Sequence, residues 1–178
     1  MVVDMKHWMN KRVVATIAFL LVMLGQPVDP ARAHPHEFVD MQVEAKFDEK
    51  GRLSGLRYTW LFDEFFSAYA IEGQDANKNG EAEPSELQTL MIEILGNIQP
   101  IDYFTKFDQN GVVPQLGAAT PVSSKMVKRQ YELSFDVPFK QSVDVNSKPL
   151  RYAVYDDEFY IAMTHNTADG SIRLVNAP

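Results

Sequence analysis

The amino-acid sequence predicts an α+β fold: an antiparallel β-sandwich or curled sheet with an inserted EF-hand helix-loop-helix. Three observations predict it. Apolar and polar residues alternate with a period of two from Val39, as in a half-buried strand, and this pattern changes to helical spacing at Asp63. Helical spacing ends near residue 96, and several short alternating segments joined by turns follow Pro100.

The chain begins with the features of a secretory signal peptide. Basic residues precede an apolar run at 13–25, and small residues then occupy the two recognition positions of a signal peptidase, Ala31 and Ala33. The apolar run is shorter than the ~20 residues of a membrane-spanning helix. We therefore predict cleavage of residues 1–33 after Ala33, a periplasmic location, and a single domain at 34–178 with no membrane span.

Composition excludes some classes of partner and site. The full chain has a net charge of −7, and the predicted leader contains four basic and two acidic residues, so residues 34–178 have a net charge of −9. We expect no nucleic-acid partner because such partners require a basic surface. The chain contains no cysteine, so disulfides and thiolate metal sites are excluded. We found no catalytic motif and expect no enzyme.

The first elements are a hairpin and two helices. Alternation on both sides of a turn at 48–51 predicts a hairpin from Phe38 to Phe62. Asp63 then suits a helix N-cap, and aromatic residues at helical spacing predict a short helix to Glu72. A second helix is predicted from Pro84 to about residue 95, because proline is favoured in the first turn of a helix. The helix-loop-helix insertion spans about 63–96.

The second half of the chain predicts further strands and turns. Asn110-Gly111 is a hairpin turn signal. Asp156-Asp157-Glu158 could form a second carboxylate site, but its position between two strands favours a solvated turn. Lys125, Lys128 and Arg129 are interpreted as one charged strand face. The predicted strands are 103–107, 112–113, 126–137, 150–155 and 159–163.

The segment from Asp75 to Glu86 matches the twelve-residue calcium loop of EF-hands. Oxygen-bearing side chains stand at loop positions 1, 3, 5, 9 and 12, glycine stands at the sharp bend of position 6, and position 7 contributes a backbone carbonyl. We therefore predict a Ca²⁺ site. Its predicted ligands are Asp75, Asn77, Asn79, Glu81, Glu83 and Glu86.

An acidic turn with helix caps is the alternative interpretation of this segment, but turn chemistry does not require Glu86 at the twelfth position. Asparagines at positions 3 and 5 and Lys78 inside the loop predict weak affinity, roughly 0.1 to 1 mM. The similar stretch at Asp108 has Ala119 at its twelfth position and is interpreted only as a hairpin turn. Without a second loop, we expect a structural rather than a sensor role.

Cleavage after Ala33 would expose His34-Pro35-His36 as the new N-terminus. The α-amine and the imidazoles could then bind Ni²⁺, Co²⁺, Cu²⁺ or Zn²⁺, with His165 or a carboxylate as a further ligand. The alternative is a frayed terminus with two solvated histidines, and His165 alone is more typical of a satisfied polar residue near a strand end.

The chain resembles the exported domain-of-unknown-function family 1007, often labelled a periplasmic component of an ABC-type transport system. The resemblance rests on His-Pro-His at 34–36, EFVD at 37–40, WLFDEF at 60–65, the acidic loop and DYFT at 102–105. It implies a periplasmic accessory or binding component of a transition-metal transport system, with an inner-membrane metal transporter as its partner. The alternative is a calcium-stabilised interaction domain with no transition-metal role.

Overall fold

The computed structural model describes residue 16 and residues 35–166 and 170–178. The chain divides into two units, Met1–Ala33 and His34–Pro178. The predicted signal peptide, its cleavage site and His34 lie outside the described residues.

Within residues 35–166 and 170–178, the second unit forms eight strands, two α-helices and one 3₁₀ helix. In chain order they are β1 (Glu37–Phe47), β2 (Leu53–Phe62), α1 (Glu64–Ala70), α2 (Leu87–Ile98), the 3₁₀ helix (Gln99–Phe104), β3 (Thr105–Asp108), β4 (Thr120–Val127), β5 (Gln130–Val143), β6 (Arg151–Val154), β7 (Ile161–His165) and β8 (Ile172–Val175). None of the helices in the described part of the chain is long and apolar enough to cross a membrane.

Six of these strands form one mixed sheet in the described chain, in the order β4-β5-β2-β1, with β7 and β8 both paired to β1. The pairs among β4, β5, β2 and β1 are antiparallel, whereas β7 and β8 run parallel to β1. Strands β3 and β6 form a separate antiparallel pair. The α+β prediction is therefore confirmed, but the entirely antiparallel sheet is wrong. Parallel pairs are joined by long crossovers, which no tight-turn signal marks.

The predicted hairpin is confirmed and forms the centre of the sheet. β1 pairs with β2 in the register Met41↔Trp60, and Trp60 in turn pairs with Leu133 of β5. Alternate residues of β1 are buried, as the period of two requires. One face of this hairpin therefore forms the core.

Aromatic side chains fill that core. Trp60 and Phe135 meet edge to face at 5.0 Å between ring centroids, and Tyr58 stacks on Phe135 at 5.3 Å. Tyr103 packs on the same ring at 5.9 Å. Leu87 at the start of α2 is fully buried in this cluster. The helix thus covers the sheet through apolar contacts.

The helices follow the predictions with shifted ends. The Asp63 side chain caps α1, but the helix ends at Ala70 rather than Glu72. α2 begins at Leu87, not at Pro84. Residues 84–86 form a turn instead, in which the N–H groups of Glu86 and Leu87 both donate to the carbonyl of Glu83.

Two of the longer strand predictions in the second half are wrong. The predicted strand 126–137 is divided between β4 and β5 by a turn at Lys128-Arg129, with Lys128 at φ 58°. The three basic residues therefore do not share one strand face, because only Lys125 lies in a strand. The predicted strand 103–107 begins at Thr105, because residues 102–104 adopt left-handed backbone angles.

The predicted turn at Asn110-Gly111 is confirmed. Both residues have positive φ, as a type I′ turn requires, and Gln109 and Val112 exchange two backbone hydrogen bonds across it. The predicted strand at 112–113 is wrong, because Val112 forms only an isolated bridge with Gln109 and β3 pairs with β6 instead.

Candidate calcium loop and histidine terminus

The loop from Asp75 to Glu86 connects α1 to α2 and lies largely at the surface. The residue that follows the loop, Leu87, is fully buried and anchors the loop's C-terminal end to the core. Gly80 has φ 89°, the left-handed conformation that glycine tolerates best. Glycine at position 6 therefore serves the sharp bend that the sequence predicted.

Side-chain oxygens at the first three predicted ligand positions accept hydrogen bonds from the loop's own backbone. Asp75 accepts from the N–H of Gly80 at 2.9 Å and of Asn79 at 3.1 Å. The Asn77 amide oxygen accepts from Asn79, and the Asn79 amide oxygen accepts from Glu81. These bonds fold the chain around the side chains of positions 1, 3 and 5.

Glu86 closes the loop from its far end. Its carboxylate accepts from the N–H groups of Ala76, Asn77 and Glu83 at 2.9, 3.1 and 3.1 Å. The bond from Glu83, followed by those from Asn77 and Ala76, holds the pKa of the Glu86 carboxyl below its usual value of 4.5. This carboxylate is therefore charged at neutral pH and joins positions 2, 3, 9 and 12 of the loop.

Glu83 completes the group from position 9. Its two carboxylate oxygens accept from the side-chain amide nitrogens, Nδ2, of Asn77 at 2.7 Å and of Asn79 at 2.8 Å. The glutamate predicted to act through water therefore contacts both asparagines directly. Glu81 differs, because only its backbone carbonyl is predicted as a ligand, at position 7.

The structure thus brings the predicted calcium residues into one hydrogen-bonded loop. Their oxygens face N–H donors, and no group of three or more His, Asp or Glu side chains in residues 35–166 and 170–178 is arranged to hold a metal ion. The donor chemistry fits calcium, since every side chain in the set offers hard oxygen. Calcium coordination would require the oxygens of Glu83 and Glu86 to exchange N–H donors for the ion.

The two acidic segments interpreted as turns behave as predicted. Asp108 accepts from the N–H of Gly111 at 2.8 Å, within the hairpin turn. Asp156 accepts from the N–H groups of Glu158, Tyr160 and Ile161, and so organises the turn before β7.

His36 lies beside the start of β7. Its backbone N–H donates to the carbonyl of Tyr160 at 2.8 Å, and the two rings lie 4.9 Å apart. Carboxylates surround this end of β1. Burial, and then the charges of Asp63 and Asp156, raise the pKa of Glu37 above its usual value of 4.5. Glu37, the residue that follows His36, therefore lies close to two other carboxylates.

His165 cannot share a metal ion with His36. It lies at the other end of β7, five residues beyond Tyr160, so at a rise of ~3.3 Å per residue the two histidines are about 16 Å apart. Its Nε2 instead contacts the Tyr152 hydroxyl at 2.9 Å. The prediction of His165 as a further ligand is wrong. Its position at the strand end agrees with the interpretation as a polar residue near a strand end, but only Nε2 is satisfied, because the buried Nδ1 has no hydrogen-bond partner among the described residues.

Comparison with known families assigns the chain. The model of the family described as "Protein of unknown function (DUF1007)" matches residues 17–178. The chain belongs to the DUF1007 family. Comparison with curated proteins and with solved structures gave no significant match.

Two residues of this DUF1007 chain, Asp63 and Ser67, join α1 to the sheet, and only the capping role of Asp63 was predicted from the sequence. Asp63 was predicted as an N-cap, but its carboxylate also accepts from the N–H of Phe38 at 2.8 Å. Ser67 was not predicted at all. It is fully buried, donates to the Asp63 carbonyl at 2.6 Å and accepts from the N–H of Tyr131 at 2.8 Å. A lone serine in a helix carries no sequence signal for such a role.

Proposed function

We propose that this protein is an exported calcium-binding protein whose site is the loop from Asp75 to Glu86. The observation that supports this most is the convergence of the side chains of positions 1, 3, 5, 9 and 12 within one hydrogen-bonded loop. Three of these residues are carboxylates and two are carboxamides, which is an all-oxygen set suited to a hard cation.

Calcium would relieve an electrostatic cost in this loop. The carboxylates of Asp75, Glu83 and Glu86 approach one another through shared partners, and the charge of Asp75 opposes the ionised form of Glu86. The nearest cation in the sequence is Lys78, which forms no ion pair among the described residues. A bound divalent ion would offset these like charges and connect α1 to α2.

Calorimetric titration of the full chain with CaCl₂ tests the site. We expect one site with a dissociation constant of roughly 0.1 to 1 mM. Glu86→Gln removes the bidentate ligand and should weaken binding at least about tenfold. Glu81→Gln is the matched control, since it makes the same change in charge at a position that uses its backbone carbonyl. Absence of binding to the native chain, or equal effects of the two variants, would reject the site.

A second, narrower proposal is that the N-terminal histidines bind a transition metal and that the protein is an accessory or binding component of a transport system. The observation that favours it is the group of three carboxylates at the start of β1, Glu37, Asp63 and Asp156, because clustered negative charge attracts cations. In this proposal His34 and His36 would present Ni²⁺, Co²⁺, Cu²⁺ or Zn²⁺ to an inner-membrane metal transporter.

This second proposal depends on processing after Ala33. Mass spectrometry of the exported protein should find His34 as the first residue, and titration with the four ions should find one that binds. His36→Gln should abolish that binding, whereas His165→Gln should preserve it because that ring is remote. If none of the ions binds, the calcium-stabilised interaction domain without a transition-metal role is the better account.

A further inference from the structure

A surface groove far from the calcium loop has the chemistry of an anion site. It has a volume of about 580 Å³, within the range of small-molecule pockets. The turn after β3 forms one wall, and the end of β5 with the loop that follows forms the other. The residues that decide its chemistry are Arg52, Val112, Val113, Lys140, Asp144 and Lys148.

The walls of this groove are held in place by hydrogen bonds. The side-chain amide nitrogen of Gln109, Nε2, donates to the backbone carbonyls of Asp144 at 2.8 Å and Lys148 at 2.9 Å. These two bonds connect one wall of the groove to the other. Arg52 donates to the carbonyl and the hydroxyl of Ser142 at 2.6 and 3.1 Å. A guanidinium has five N–H groups, so three remain for other acceptors.

The charge of the lining is opposite to that of the chain. Three cationic side chains and one carboxylate line the groove, in a chain whose net charge is −7. The carboxylate of Asp144 is occupied by Ser147 and Asn146, whose hydrogen bonds hold its pKa below the usual 3.8. Asp48 lies beside Arg52 and offsets part of its charge.

Lys140 and Lys148 therefore supply most of the positive charge that would attract an anion to the groove. Both are exposed, and neither ammonium has an ion pair or hydrogen bond within the described chain. On the facing wall, Val112 and Val113 are 60% and 66% exposed, so consecutive apolar side chains are left in contact with water. A ligand that suits both walls has an anionic head and an apolar body.

We propose that this groove binds a small amphiphilic anion, with its carboxylate or phosphate head at Lys140 and Lys148 and its apolar body against Val112 and Val113. The head would gain charge-assisted hydrogen bonds, and the body would remove apolar surface from water. This site is independent of the calcium loop.

Titration of the full chain by NMR or calorimetry tests the proposal with octanoate and octyl phosphate as probes. Binding of either should be at least about tenfold tighter than binding of acetate or inorganic phosphate, which lack the apolar body, and of octanol, which lacks the charge. Preference for octanoate would assign a carboxylate ligand, and preference for octyl phosphate a phosphate ligand. Equal binding of acetate and octanoate would overturn the proposal, as would the absence of saturable binding.

Charge variants locate the site. Lys140→Gln and Lys148→Gln should each weaken octanoate binding about threefold to tenfold. Lys128→Gln is the matched control, because Lys128 is also exposed and lies in the turn before β5, whereas Lys140 lies near the other end of that strand. An equal loss with Lys128→Gln would show diffuse attraction only and overturn the site. Val112→Thr should weaken octanoate but not acetate.

Discussion

The central hairpin and the candidate calcium loop are neighbours in sequence but are stabilised in different ways. β1 and β2 bury a continuous set of apolar side chains, among them Tyr58 and Trp60, so water and ions have little access to what holds them. The loop at 75–86 has little buried surface and depends on hydrogen bonds between its own side chains and backbone. We therefore expect the stability of the sheet to be insensitive to ions, whereas the loop should respond to them.

The largest effect is expected at the core. Phe135→Ala removes a fully buried ring that contacts Tyr58, Trp60 and Tyr103, and should lower the free energy of unfolding by about 3–5 kcal/mol. Urea unfolding with and without CaCl₂ measures the loss. The loss should be the same in both buffers; a loss of under about 1 kcal/mol would contradict the described core.

Calcium should act on the loop with a smaller but distinct effect. For a dissociation constant near 0.3 mM, ~10 mM Ca²⁺ would stabilise the native protein by about 2 kcal/mol, or roughly 4–8 °C in melting temperature. Calorimetric melting of the native chain and Glu86→Gln measures this. The variant should lose most of the calcium-dependent shift, and a full shift in the variant would place calcium elsewhere.

The junction between the two regions should be next in size. Ser67→Ala leaves the buried N–H of Tyr131 without its acceptor and should cost about 1–3 kcal/mol. Urea unfolding measures the cost. Ser85→Ala, an exposed serine in the same segment, is the control and should stay within about 0.5 kcal/mol of the native chain. Equal effects would mean that the helix is not joined to the sheet through Ser67.

The smallest expected effect is the loss of stability at acidic pH caused by His165, at the end of the edge strand β7. Burial lowers the pKa of His165 below its usual 6.5, so the unfolded chain takes up this proton first as the pH falls. Stability that is present above pH 6.5 should decline below it, at no more than about 1.4 kcal/mol per pH unit. His165→Gln should remove this part of the decline in urea unfolding between pH 7 and pH 5. An unchanged slope would show that His165 does not cause it.

The sequence was informative where one face of an element is buried or one backbone position is unusual. The first hairpin followed from alternation, and α1 followed from Asp63 and its aromatic residues. The turn at Asn110-Gly111 followed from two residues that tolerate positive φ. Such features are local, so they can be recognised without knowledge of the rest of the chain.

The sequence was silent where partners are distant. β4 is exposed at most positions, so it has no apolar alternation to recognise, and it was missed. Its turn contains Lys128 at positive φ, where glycine or asparagine would be the usual signal. The parallel positions of β7 and β8 depend on crossovers, and the distance between His36 and His165 depends on β7. For the candidate calcium loop, spacing predicted the residues that converge, but not the bonds between Glu83 and the asparagines.

Hydrogen–deuterium exchange of backbone amides, with and without 10 mM CaCl₂, tests most directly whether the loop and the sheet respond differently to ions. If residues 75–86 bind calcium, the amides of this loop should exchange about tenfold more slowly with the ion, while those of β1, β2 and β5 should not change. Glu86→Gln should remove the protection. Unchanged exchange in the loop, or equal slowing throughout the sheet, would contradict a calcium site at Asp75 to Glu86.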